Sequence, residues 1–227
     1  MSRKPADAWL ARVGGEGGPL LICAADAFAA WGGAVLADDH ELDPGCDLAR
    51  ATTVLYPSDD DEFDAGLVRF GDGGKHTGLV WEMDGPGTAE VAATGDGGLL
   101  VMRSWVRNAD GPRRYVTTPV ARARELPVAG LDLPTGRVAI VWAPVAATDV
   151  TGLPDGRSNA GPTALDLEHM LGVGTVLPLP SGAYRVSCGW LDGTRGRYAP
   201  AEEQHGPPVP GNDDDWSCRW LRLTPAG

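Results

Sequence analysis

Residues able to do chemistry are few in this chain, and they are scattered. Among 227 residues there are 4 cysteines and 4 histidines. Cys23, Cys46, Cys188 and Cys218 never stand at C-x-x-C spacing, which excludes a local redox pair or zinc ribbon. His40, His76, His169 and His205 form no ligand-spaced pair; His169 follows Glu168, but H-E-x-x-H is absent. No serine sits in a G-x-S-x-G elbow, and no glycine-rich loop leads into the Lys-Ser/Thr of a phosphate cradle. A catalytic triad meets in space rather than in sequence, so an enzyme of unrecognised type remains one reading. No catalytic, cofactor-binding or metal-binding residue is assigned.

Basic residues are also scarce. Lys+Arg total 19 against 31 Asp+Glu, a formal net charge of −12, and the acidic excess is greatest in residues 1–70. Such a chain is repelled by nucleic acid and anionic membranes and attracts basic partners. One segment reverses the sign: Arg103, Arg107, Arg113, Arg114, Arg122 and Arg124 face only Asp110. We read it as an exposed edge or surface helix paired with the acidic N-terminal half. No apolar stretch approaches the roughly 18 residues of a membrane span. The basic start, Met1–Trp9, leads into no apolar run of signal-peptide length, so a cytoplasmic location is expected, with reduced thiols. A Cys188–Cys218 bridge would require an oxidising compartment.

Turn residues, by contrast, are abundant: Gly 32 and Pro 19, lying between short apolar runs. That pattern predicts many short strands. Pro19–Cys23 reads as a strand, and Ala24–Trp31 as a short helix with Phe28 and Trp31 on one face, stopped by Gly32-Gly33. Residues 37–49 read as loop and Thr52–Tyr56 as a strand. Gly71-Asp72-Gly73-Gly74 and Gly95-Asp96-Gly97-Gly98 read as hairpin turns, the first between Ala65–Phe70 and Thr77–Met83, the second before Leu99–Val106. Residues 127–136 look like a connection between two halves. Arg137–Trp142 reads as a strand, Thr163–Leu171 as a short helix, and Gly174–Leu179 and Gly182–Trp190 as strands about Pro180-Ser181. Residues 192–211 read as a long loop, and Trp216–Leu223 alternates as a strand. The expected class is α+β and β-dominated: antiparallel sheets of nine to eleven strands with two or three short helices, as residues 1–126 and 127–227.

Three acidic clusters stand out. Asp38-Asp39-His40-Glu41 with Asp43 lacks calcium-loop spacing and reads as solvated loop. Asp59, Asp60, Asp61, Glu62 and Asp64, and likewise Asp213, Asp214 and Asp215, follow proline-containing turns and precede strands. They are candidate rims for a basic partner. Tryptophan is the second candidate, at 8 residues against 3 Phe and 4 Tyr. Its half-polar ring favours interfaces. Trp190 and Trp216, with Trp220, flank the 192–211 loop, which carries Arg195, Arg197 and Tyr198. A carbohydrate or small-ligand module using these tryptophans is the alternative reading.

The motifs W-x₈-GGPL (Trp9, Gly18-Pro19-Leu20), A-W-G-G (Ala30–Gly33), F-G-D-G (Phe70–Gly73), G-L-V-W-E-M-D-G-P (Gly78–Pro86) and G-G-L-L-V-M-R-S-W-V (Gly97–Val106) together resemble the Immunity protein 21 family of bacterial polymorphic-toxin systems. The likeness covers residues 9–106. Where that family carries an acidic-aromatic D-Y-D motif, this chain has Asp43-Pro44-Gly45-Cys46-Asp47. The resemblance implies a non-catalytic bacterial protein that neutralises a cognate toxin by protein–protein contact, without cofactor, nucleic acid or membrane. It transfers no catalytic residue.

Overall fold

The structure is a computed structural model. It describes residues 8–38, 40–58, 64–82, 87–105, 125–153, 161–194, 197–198 and 215–227, with residues 8–9, 104–105, 190–194, 197–198 and 215–217 described by backbone alone.

Among the described residues, short apolar runs cut by glycine become thirteen strands in two antiparallel sheets. The seven-stranded sheet runs β1 (Ala8–Gly15), β5 (Gly87–Ala93), β6 (Leu99–Trp105), β13 (Asp215–Pro225), β11 (Gly182–Thr194) and β12 (Arg197–Tyr198), with β7 (Leu126–Leu133) also on β11. The six-stranded sheet runs β3 (Ala65–Phe70), β4 (His76–Trp81), β2 (Leu20–Ala24), β8 (Arg137–Trp142), β10 (Met170–Pro178) and β9 (Thr163–Leu167). Two helices, α1 (Ala25–Phe28) and α2 (Asp47–Leu55), and a 3-10 turn at Asp72–Gly74 complete the elements among the described residues. The β-dominated α+β class expected from the turn pattern is what forms. Both sheets draw on each side of residue 126: β6 pairs with β13, and β2 with β8.

One core joins the sheets. Val13, Val91, Val101, Leu221 and Leu223 come from one, and Leu20, Ile22, Leu79 and Ile140 from the other. β2 is buried at every position, so it is covered on both faces. Its second cover is the helical layer: an added Cβ on Gly66 of β3 would lie 2.5 Å from Val54 Cγ1 of α2. Trp31 anchors this layer. Its indole N–H donates to the Ala143 carbonyl at 2.8 Å, and its ring meets Phe70 edge-on at 5.2 Å. Asp47, at the start of α2, accepts from the Gly32 N–H at 2.7 Å and binds the Arg50 guanidinium. A carboxylate there also complements the helix dipole.

Several expectations change. Thr52–Leu55 is helix, not strand. Cys46 caps α2 through its sulfur, and Ala51 and Leu55, one helical turn apart, are both buried. Thr52 and Thr53 donate back to the Leu48 and Ala49 carbonyls, so β-branched residues are absorbed without a strand. Thr163–Leu171 is the β9–β10 hairpin rather than a helix, with a register irregularity between Met170 and Gly174. The 127–136 connection is largely strand β7. Among the described residues it pairs only with β11, and an edge strand tolerates Pro127. Residues 192–194 extend β11 rather than opening a loop. Of the arginine-rich segment, Arg103 is buried in β6 instead of exposed, and residues 107–124 lie outside the described residues. Cys188 faces Leu221, three residues from Cys218. An odd offset puts the two thiols on opposite faces of the sheet, and all four cysteines are free.

Pro180-Ser181 does not turn a hairpin; it carries the chain from β10 in one sheet to β11 in the other. Tyr184 pins that crossing, its hydroxyl donating to the Pro180 carbonyl at 2.7 Å. Tyr184→Phe is expected to cost about 1 kcal/mol with the fold retained, the net worth of one hydrogen bond. Urea unfolding measures it.

Candidate functional site

Strand register collects buried charge at one end of the sandwich. Successive strands place Val13, Ala89, Arg103 and Arg219 opposite one another, with Trp190 of β11 next in the row. Arg219 alternates with Leu221 and Leu223, so it points to the sheet-facing side. Arg103 and Arg219 are only 4% and 5% exposed. Like charges directly opposite repel, and burial without counter-charge is costly. The six-stranded sheet supplies acid. Arg219 Nη1 donates to Asp64 Oδ1 at 3.0 Å, the Asp64 carbonyl accepts from the Glu82 N–H at 2.8 Å, and Glu82 is itself buried. The Arg103 guanidinium lies on Gly87, where an added Cβ would sit 2.8 Å from Nη2. Glu82, Arg103 and Arg219 each have further polar or electrostatic contacts.

This end also receives the C-terminal candidates. Thr194 pairs with both Arg197 and Asp215, and Gly193 with both Tyr198 and Trp216. The backbones of Trp190, Arg197, Tyr198, Asp215 and Trp216 therefore gather where Asp64 meets Arg219. Asp59, Asp60, Asp61, Glu62, Arg195, Asp213 and Asp214 lie outside the described residues. Sequence reasoning missed Glu82, Arg103 and Arg219 as a group. The signal for Arg219 was its place on the leucine-bearing face of an alternating strand.

The outer face of the seven-stranded sheet holds a second polar knot, around Glu125. Its carboxylate accepts from Trp220 Nε1 at 2.9 Å, Arg222 Nε at 2.7 Å and Ser187 Oγ at 2.5 Å. Trp220 is fully buried, its ring lying where Gly189 leaves room: an added Cβ there would come within 2.3 Å of Cζ2. This tryptophan is a packing residue with a satisfied N–H, not a face for a sugar. Burial alone would push the Glu125 carboxyl up, but the hydrogen bonds from Ser187, Arg222 and Trp220, with the Arg222 charge, outweigh it and hold it below the usual range. A carboxyl depressed in the folded state stabilises above its ordinary titration range and loses that contribution as pH falls through its folded value. Glu125→Gln is therefore expected to lower stability at neutral pH and flatten its decline in acid. Chemical unfolding across that pH range tests this.

Arg12 Nη2 meets Glu90 Oε1 at 2.8 Å, while the buried Oε2 has no hydrogen-bond partner among the described residues. Burial, with Asp64 and Glu125 nearby, pushes the Cys188 thiol up to about 11, which leaves it protonated and weakly nucleophilic at neutral pH. Around Asp38, Glu41 and Asp43 the chain is clasped by a Leu36–Leu42 bridge. Among the described residues no three His, Cys, Asp or Glu side chains gather to hold a metal ion, and no helix is long and apolar enough to cross a membrane.

Comparison of the chain with family models, with curated proteins and with solved structures finds no match.

Proposed function

We propose that this chain is a non-catalytic cytoplasmic immunity protein that binds and neutralises a cognate, basic toxin domain. The observation that carries the reading is the meeting of Asp64 and β13 through the Asp64–Arg219 pair. The acidic segment 59–62 leads into Asp64, and the acidic segment 213–215 leads into β13. Two acid-rich segments that are far apart in sequence thus join the fold at the same end. Negative charge concentrated there speeds capture of a positively charged partner. Asp64 and Arg219 are engaged with one another, which suits a rigid base beneath a contact surface better than a reaction centre.

The test is co-expression with the product of the neighbouring gene, if that product ends in a toxin-like domain. The two should co-purify, and the chain should restore growth. Changing Asp59, Asp60, Asp61 and Glu62 together to lysine should slow association at low salt by an order of magnitude or more. Asp64 is left intact, because a lysine there would face Arg219 and unsettle the fold. Unchanged association by the fourfold variant removes this surface, and a neighbour product that fails to bind removes the reading.

A further inference from the structure

Three Asp-Gly pairs fall within the described residues: Asp72-Gly73, Asp96-Gly97 and Asp192-Gly193. Aspartate followed by glycine is chemically vulnerable, because nothing beyond Cα shields the following amide nitrogen from the side-chain carboxyl. The fold treats the three pairs differently. Asp96 Oδ1 accepts from Thr94 Oγ1 at 2.5 Å and from the Gly98 N–H at 3.2 Å. The Gly97 N–H donates to the Thr94 carbonyl at 3.1 Å. Both reacting groups are therefore occupied. Asp192 and Gly193 lie in β11, opposite Ser217 and Trp216, and Gly193 also pairs with Tyr198. Strand pairing holds that backbone extended.

Asp72 has neither protection. It is exposed, as is Gly73, and its carboxyl makes no hydrogen bond or ion pair among the described residues. Gly73 has φ +66°, and an added Cβ there would meet nothing within 4 Å. Gly71 and Gly74 also have positive φ, so the turn around Asp72 is built from the most pliant residue type.

We propose that Asp72 is a site of spontaneous isoaspartate formation in the folded chain, while Asp96 and Asp192 are protected. The Gly73 nitrogen attacks Asp72 Cγ, and a C–N bond forms. The amide proton and the carboxyl hydroxyl leave as water, giving a five-membered succinimide. Water then adds to either ring carbonyl. Breaking the Cγ–N bond restores aspartate. Breaking the bond between the Asp72 backbone carbonyl carbon and nitrogen leaves the chain running through Cγ. Mass is unchanged overall, no oxidant or catalyst is needed, and the backbone gains one methylene.

That extra atom falls between Phe70 and His76, whose rings stand 5.6 Å apart. Phe70 is also the edge-on partner of Trp31, and Gly71 abuts Ala30. Damage at an exposed turn is thereby passed to the helical layer. The modified residue is a substrate for an isoaspartate-specific carboxyl methyltransferase, which serves as the probe.

The folded chain is aged at neutral pH and growth temperature, then methylated with that enzyme and mapped by peptide. Methyl label on the Asp72 peptide should accumulate several-fold faster than on the Asp96 or Asp192 peptides. In urea the three rates should converge. Asp72→Glu, which would need a six-membered ring, should remove the label from that peptide, and Thr94→Ala should raise labelling at Asp96. Equal rates at Asp72 and Asp96 in the folded chain overturn the proposal. So does an unlabelled Asp72 peptide when the urea-treated chain is labelled there.

Discussion

Replacing Trp31 by alanine should lower the stability of the fold by about 3–5 kcal/mol, the range for removing a buried aromatic side chain. Trp31 is 1% exposed, so nearly the whole ring volume becomes cavity. The loss is wider than the ring. The Ala143 carbonyl loses the indole N–H donor, and Phe70 loses its edge contact. Because domains of ordinary stability hold only about 5–15 kcal/mol in reserve, the variant should populate unfolded chain at growth temperature. Trp31→Phe separates the contributions: it keeps most of the volume and gives up the hydrogen bond, so it should lose clearly less. The urea midpoints of the three chains measure the ordering. An alanine variant as stable as the parent would mean that Trp31 does not hold the helical layer.

Gly33→Ala is expected to have the second-largest effect. Gly33 has φ +62°, where an L side chain costs about 1–2 kcal/mol. An added Cβ would also lie 2.6 Å from Ala146 N and 2.6 Å from the Pro144 carbonyl oxygen. Those atoms are backbone and cannot rotate away, so a further 1–3 kcal/mol or so of overpacking is expected. Gly73→Ala provides the control. Its φ is close to the same, but no atom lies within 4 Å of the added Cβ, so only the conformational cost of about 1–2 kcal/mol remains. The difference between the two variants, read from thermal unfolding, isolates the close approach of the Gly33 turn to the segment after β8.

Local patterns carried much of the fold. The Ala24–Trp31 segment reads as a short helix stopped by Gly32-Gly33; the helix that forms, α1, covers only Ala25–Phe28 of it, but Phe28 and Trp31 are both buried as that reading expects. The two Asp-Gly turns fall between β3 and β4 and between β5 and β6. The alternation of β13 is plain from its residues. What was not legible depends on pairing at a distance. Thr52-Thr53-Val54 has strand composition, and only the Cys46 cap and the packing of Ala51 and Leu55 make it helix. β7 carries Pro127 and Gly130 and becomes a strand because β11 offers it a partner. The charged end of the sandwich was half visible. Asp64 and the C-terminal residues could be singled out, but the Arg103–Arg219 pair follows from a register that joins β6 to β13 across more than a hundred residues.

That pairing has a consequence for how the protein is made. β13 comes last in sequence among the described strands, yet it sits inside the seven-stranded sheet, hydrogen-bonded to β6 on one side and β11 on the other. Synthesis runs at about 5–20 residues per second, so β6 waits several seconds for its neighbour. During that interval β6, and β11 once it is made, present open edges of the kind that recruit other chains. A ribosome that stalls before residue 215 releases a polypeptide with a gap in the middle of a sheet rather than a frayed margin. A chain truncated before β13 is therefore expected to aggregate or be degraded rather than to function in part.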